Sequence, residues 1–187
     1  MKEKPRKLLT ARLCVYRMVA AFLPETRAFA LKRALLRWCG AEVGRDVTIS
    51  SSATFFGTAR LVIGDDVWIG SDCWISPTGE GDVFIGSRVD LGPGVMIVTG
   101  GHEMVAHRGH AAGKGCSAPL VIGDGCWIGA RATLLMGVNV PPMTVIAAGT
   151  LVRNNATDQA GWLWAGVPAV AKRQIDKANA QGGDRNE

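Results

Sequence analysis

Histidine is scarce in this chain. Three occur in 187 residues, and all of them, His102, His107 and His110, fall in the stretch TGGHEMVAHRGHAAGKG at residues 99–115. Near neutral pH an imidazole does one of two things: it exchanges a proton with a reacting group, or it binds a divalent metal through a bare nitrogen. The H-x4-H spacing of His102 and His107 supplies two zinc ligands. Catalytic zinc needs three protein ligands and an open position, and no histidine precedes His102 to complete the set. His110 and Cys116 are the local substitutes. A proton-transfer role asks only that one ring be held in one tautomer by a partner at its other nitrogen. Glu103 or a backbone carbonyl could be that partner. No metal is expected on this count, and a proton-transfer role is left open to any of the three.

The sequence around the histidines has a period of six. From Ile63 it runs IGDDVW, IGSDCW, ISPTGE; from Ile85, IGSRVD, LGPGVM, IVTGGH; from Ile122, IGDGCW, IGARAT, LLMGVN, VPPMTV, IAAGTL, VRNNAT. Upstream, VGRDVT, ISSSAT, FFGTAR fits from Val43, with Leu61 and Val62 as a two-residue slip. The first position is aliphatic, the fifth is small, and Gly, Asp, Asn and Ser recur where tight turns are needed. A helix needs apolar spacing near 3.6 and a lone strand alternates by two. A strict six over a dozen units fits a solenoid, in which each short strand buries its aliphatic residue against its equivalent in the next coil. Cys73 and Cys126, at fifth positions, are expected inside as packing residues. Trp68, Trp74 and Trp127 end their hexads and are expected at corners or subunit contacts, Trp127 also beside a ligand.

These hexads resemble those of the hexapeptide-repeat acyltransferases, whose fold is a left-handed parallel β-helix with three hexads per triangular coil. The resemblance spans residues 43–157. It implies a mainly β chain with a helical N-terminal cap over 1–42, a β-helix over 43–157 interrupted by an excursion loop at 99–121, and a turn, short helix and tail over 158–187. A solenoid needs no such excursion for stability, so a functional loop is expected there.

TGGH looks like the T-G-H signature of the galactoside, maltose and polysaccharide O-acetyltransferases, which places their general base at His102. The following HRGHAAGKG and APLVIGDGCWIGA are most similar to the polysaccharide branch. The resemblance implies acetyl-CoA as acyl donor, a sugar or glycan hydroxyl as acceptor, and a homotrimer with sites between subunits. An amide at Gly129–Ala130 would face the oxyanion, with Ala148 beside the pantetheine arm. Arg153, Lys172 and Arg173 would meet the CoA phosphates. Val170 stands where the family's A-G-V-P-A-K tail has a basic residue, so the division of that charge among the three is open. Asp72 maps to an acceptor-sugar contact and His107 is an acceptor-side candidate. Rival readings are a xenobiotic acetyltransferase, an amino-sugar N-acetyltransferase, a γ-carbonic-anhydrase-like zinc enzyme and a trimeric scaffold without activity.

Composition agrees with a single globular domain: 48% hydrophobic residues and 24 glycines. Five cysteines without a C-x-x-C pair suggest a reducing, cytoplasmic setting. The apolar run Leu8–Leu23 is too short to span a bilayer and is broken by Arg12 and Arg17. Arg6–Leu23 and Glu25–Cys39 read as two helices capping the solenoid, the second opened by Pro24 and closed by Gly40. Leu9, Leu13, Tyr16 and Leu23 would share one face, and Ala28, Leu31, Leu35 and Trp38 another. Residues 1–40 carry ten Lys/Arg against two acids, a net +8. Such an arm is either a solvated basic face or a contact with anionic lipid at the inner membrane. Nucleic acid is not expected, because no stacking aromatics interleave with the charge.

Overall fold

The aliphatic residue that opens each hexad turns inward, and its equivalents in successive coils stack in register. In the computed structural model, which describes residues 6–107 and 109–175 without the side chains of Ala106 and His107, this produces three parallel faces. Face A comprises Glu42–Val43, Leu61–Ile63, Val83–Ile85, Leu120–Ile122 and Asn139–Val140. Face B comprises Thr48–Ile49, Trp68–Ile69, Asp90–Leu91, Trp127–Ile128 and Val145–Ile146. Face C comprises Thr54–Phe55, Trp74–Ser76, Met96–Val98, Thr133–Leu135 and Leu151–Val152. The result is a mainly β solenoid of about five turns with two N-terminal helices.

On face B, Ile49, Ile69, Leu91, Ile128 and Ile146 pair one above another and are fully buried. Each such side chain removed from water is worth roughly 1.5–3 kcal/mol, so the stack holds its register strongly. The fifth positions also face inward, among them Val67, Cys73, Val95, Cys126 and Ala132. Burial pushes the Cys73 and Cys126 thiols up to about 11. They are packing residues with little thiolate at neutral pH.

The coils differ in length only at their corners. Partners lie 18 residues apart in the last step (Trp127 to Val145, Thr133 to Leu151). The first step is 20 (Thr48 to Trp68), which accommodates the slip at Leu61–Val62. The second is 22 on faces A to C alike (Val62 to Phe84), with the extra residues in the turn between Ser76 and Val83. The longest addition holds the histidines. It is not an irregular loop: Gly100–His107 and His110–Ser117 form an antiparallel hairpin, and the chain rejoins face A at Leu120. The three tryptophans expected at corners lie on the flat faces instead. Trp68 and Trp127 open strands of face B and Trp74 one of face C, all with their indoles outward.

Both helices are shorter than the sequence suggests: α1 is Thr10–Ala20 and α2 is Phe29–Trp38. Lys32 fixes the turn that precedes the second. Its buried ammonium donates to the carbonyls of Pro24 (3.1 Å), Glu25 (2.8 Å) and Ile49 (2.9 Å), folding the 24–27 turn back onto α2 and tying both to the first coil. All three of its donors are used. Burial pushes its pKa below the usual lysine range, and nearby Glu25 opposes that shift. The inward face of α2 is therefore Lys32, Leu36 and Cys39, not the Ala28–Leu31–Leu35–Trp38 face; Leu31 and Trp38 are each nearly half exposed. From α1, Tyr16 packs edge-on against Phe55 of the first coil at 5.6 Å and 81°.

The far end is closed differently. Trp162–Ala165 extends face B, placing the fully buried Trp164 over Ile146, and Val170–Gln174 returns antiparallel beside it. A strand thus occupies the start of the segment where a helix was expected; residues 176–187 lie outside the described residues.

Lys32→Met keeps most of the volume but removes three hydrogen bonds from the cap, although Ser51 still donates to the Pro24 and Glu25 carbonyls. It is expected to lower unfolding stability by about 3 kcal/mol in urea titrations. A loss under about 1 kcal/mol would show that the ammonium does not organise the cap.

Candidate functional site

Thr99 comes directly after the face C strand Met96–Val98 and anchors the root of the hairpin. Its buried hydroxyl donates to the Gly81 carbonyl (2.7 Å) and accepts the Thr78 amide (2.9 Å). On the other hairpin strand, Ser117 Oγ accepts the Glu80 amide at 3.0 Å. The four-residue enlargement after Ser76 is thus pinned to the hairpin root from both sides. The approach is close enough that a Cβ on Gly100 would sit 2.5 Å from Thr78 Oγ1, which accounts for glycine in the first G of TGGH. Turn and hairpin enclose an open cavity of about 520 Å³ whose lining includes Ser76, Thr78, His102, Cys116 and Ser117.

His102 stands opposite Gly115 in the hairpin, two pairs from its root. Its Nδ1 lies 3.0 Å from the Gly113 carbonyl oxygen. A carbonyl only accepts, so Nδ1 carries a proton, and in the neutral ring Nε2 keeps its lone pair. The backbone carbonyl, not Glu103, is the orienting partner. The ring is exposed on the cavity side of the hairpin. An imidazole with Nε2 bare and accessible can take a proton from a hydroxyl in the cavity.

The other expected residues fall on a different edge. At the corner between faces B and C, successive turns stack through Gly94 N–H to Ser71 O, Arg131 N–H to Pro93 O and Gly149 N–H to Ala130 O, each 2.8 Å. Asp72, Gly129, Ala130 and Ala148 all belong to this edge. Asp72 occupies a left-handed turn position, with its amide bonded to Ser52 Oγ. Gly129 is buried, its amide donates to Ile146 O at 2.7 Å, and a Cβ there would meet the Ala148 nitrogen at 2.5 Å. Coil stacking dictates this glycine, and its N–H is already committed. The Ala130 N–H, partly exposed, donates to no group among the described residues. The His102 cavity opens at the next corner, between faces C and A. Within one chain the two sets do not meet.

The basic candidates are dispersed. Arg153 is exposed just after the last face C strand, while Lys172 and Arg173 are exposed on the terminal strand beside face B. Arg173 reaches the Gln174 carbonyl at 3.3 Å. The backbone of His107 pairs with His110 at the hairpin tip, away from His102; the His107 side chain lies outside the described residues. Among the described residues no three His, Cys, Asp or Glu side chains gather as a metal site. Ser76, Thr78 and Ser117 belong to no motif that sequence reasoning singles out. Their signal lies in the four residues by which the ISPTGE coil overruns its period.

Stacked hexads with a hairpin inserted at one corner make the chain similar to the hexapeptide-repeat acyltransferases. Residues 119–157 match the family pattern described as the hexapeptide repeat of succinyl-transferase. Among individual relatives, WcaF of Escherichia coli, assigned as a colanic acid biosynthesis acetyltransferase, is 29% identical over 75% of this chain and 72% of its own length. The galactoside O-acetyltransferase of the same organism is 26% identical over 92% of this chain and 81% of its length. A mitochondrial gamma carbonic anhydrase of Arabidopsis thaliana is 31% identical over 71% of this chain but only 50% of its own. In fold, the chain matches a hexapeptide-repeat acetyltransferase of Vibrio cholerae crystallised with acetyl-CoA, at TM-score 0.63 and 22% identity, covering 90% of this chain and 87% of that one.

Thr99→Val removes the hydroxyl that pins the turn without changing side-chain volume much. The Thr78 amide is expected to exchange with solvent faster, and stability to fall by about 1–3 kcal/mol. Unchanged exchange at Thr78 would show that the turn is held by other contacts.

Proposed function

We propose that this chain is an acetyl-CoA-dependent O-acetyltransferase acting on a hydroxyl of a sugar or glycan precursor, with His102 as general base. The observation that carries the reading is the Nδ1 contact of His102 with the Gly113 carbonyl, which leaves Nε2 unengaged on a residue that lines a cavity together with Ser76, Thr78 and Ser117. Nε2 takes the acceptor hydroxyl proton while the oxygen attacks the thioester carbonyl carbon. The Ala130 N–H donates to the carbonyl oxygen as negative charge develops on it. Collapse breaks the C–S bond, and the proton on Nε2 passes to the departing CoA sulfur, which regenerates the neutral ring.

Because the His102 cavity and the Ala130 edge lie at different corners of one chain, the reaction requires two copies side by side, and the assembly proposed is a homotrimer. Ala130, Ala148 and the open side of Gly149, where a Cβ would meet nothing within 4 Å, leave a smooth path for the pantetheine arm. Arg153, Lys172 and Arg173 supply positive charge for the CoA phosphates, and Asp72 on the Ala130 edge offers its carboxylate to acceptor hydroxyls. The similarity to WcaF and to galactoside O-acetyltransferase supports a saccharide hydroxyl over a xenobiotic or the amine of an amino sugar.

The gamma carbonic anhydrase likeness and the H-x4-H spacing favour a second reading, with zinc held by His102 and His107. Metal analysis of active protein separates the two: full acetyl transfer with less than stoichiometric zinc excludes the second.

His102→Ala is expected to lower acetyl transfer, followed as thiol release with a panel of saccharide acceptors, by at least about 100-fold while CoA binding persists. His107→Ala is expected to stay near wild type. Loss with His107→Ala and retention with His102→Ala would reverse the assignment.

A further inference from the structure

Helix α1 is apolar on two opposite sides. Leu13, Tyr16 and Ala20 face the solenoid and are buried. On the outer side, Ala11, Cys14, Val15 and Met18 follow the i, i+3, i+4, i+7 spacing of a single stripe, and Phe22 continues it past the helix end. Val15 is 38% exposed, Met18 61% and Phe22 90%. The solvent side of a surface helix ordinarily carries charge, yet α1 contains no acid. Its cations, Arg12 and Arg17, lie on the two flanks between the buried and the exposed stripes.

The surroundings repeat this pattern. Exposed Leu31 and Trp38 lie on the adjoining α2. The Arg12 guanidinium stacks on the Trp38 ring at 4.8 Å and donates to its carbonyl at 2.7 Å. Glu25 is the one acid of residues 6–40, and its carboxylate is turned toward the solenoid, accepting the Ser52 amide and hydroxyl. The outward surface of the cap is thus apolar along its crest and cationic along its sides.

We propose that the α1–α2 face is a docking surface for an anionic lipid bilayer, with α1 lying in the plane of the interface. Met18, Phe22 and Val15 enter the acyl boundary, Arg12 and Arg17 remain at headgroup level, and Trp38 sits at the same depth. Charge selects this occupant over a second copy of the chain. Arg12 and Arg17 flank the stripe and the only acid of residues 6–40 is turned away from it, so two such faces repel each other, whereas anionic lipid attracts both. No helix among the described residues is long and apolar enough to cross a membrane, so the contact is peripheral. The surface is independent of the chemistry at His102.

The test is co-sedimentation of the full chain with vesicles of roughly 70:30 phosphatidylcholine and phosphatidylglycerol, beside vesicles of phosphatidylcholine alone. Binding is expected on the anionic vesicles, weakened by added salt and by omission of phosphatidylglycerol. The double variant Met18→Asp, Phe22→Asp changes only exposed side chains. It is expected to lose at least about tenfold in vesicle affinity with unchanged circular dichroism and assembly size. Three results would overturn the proposal: no binding of the intact chain to anionic vesicles, undiminished binding by the double variant, or a smaller assembly in that variant, which would assign the stripe to a neighbouring subunit.

Discussion

Coil-to-coil register of the inward aliphatic residues is the constraint on which the rest of this molecule depends. Ile49, Ile69, Leu91, Ile128 and Ile146 sit directly above one another. A slip of one residue in any strand would turn its outward neighbour into the core. Added residues can therefore enter only at corners, where they leave the stack undisturbed. After a two-residue addition before Leu61, the chain uses this freedom twice more beside the same edge, once as the enlarged turn after Ser76 and once as the hairpin after Thr99. The cavity around His102 is the space between those two additions.

Register also separates the chemistry. Every residue expected to meet the acyl donor near the reacting carbonyl stacks on the edge between faces B and C, because Ala130 and Ala148 occupy equivalent corners of adjacent coils. His102, the proposed base, stands on the next edge. A rigid triangular prism cannot bring two of its own edges together, so a second copy is the natural way to complete the site. The hairpin, with Met104 almost fully exposed, extends beyond the prism in a manner suited to such a contact.

Much of the fold is legible in the sequence because the solenoid is periodic. The hexads locate the strands, the inward cysteines and the slip at Leu61–Val62. What escapes is set by single contacts rather than by period. The buried face of α2 differs from the expected one because a lysine, ordinarily a surface residue, is held inside by three carbonyls. The tryptophans end hexads and so suggest corners, yet the inward aliphatic residue comes directly after, and the preceding indole must lie on the flat face. The terminal strand Val170–Gln174 pairs with Trp162–Ala165, and that non-local pairing carries no helical or strand signature of its own. At the candidate site, the break in the repeat draws attention to His102. Its partner is not, since a glycine carbonyl has no side chain to announce it, and the choice between Gly129 and Ala130 turns on which amide the coil ladder has already used.

The central claim is that the Gly113 carbonyl holds His102 with Nδ1 protonated and Nε2 free to act as base. Nitrogen-15 NMR of the imidazole, assigned by comparison with His102→Ala, reports that tautomer directly. The account predicts that the neutral ring carries its proton on Nδ1, with Nε2 showing the shift of an unprotonated nitrogen. A ring protonated on Nε2, or an equal mixture of the two tautomers, would contradict it.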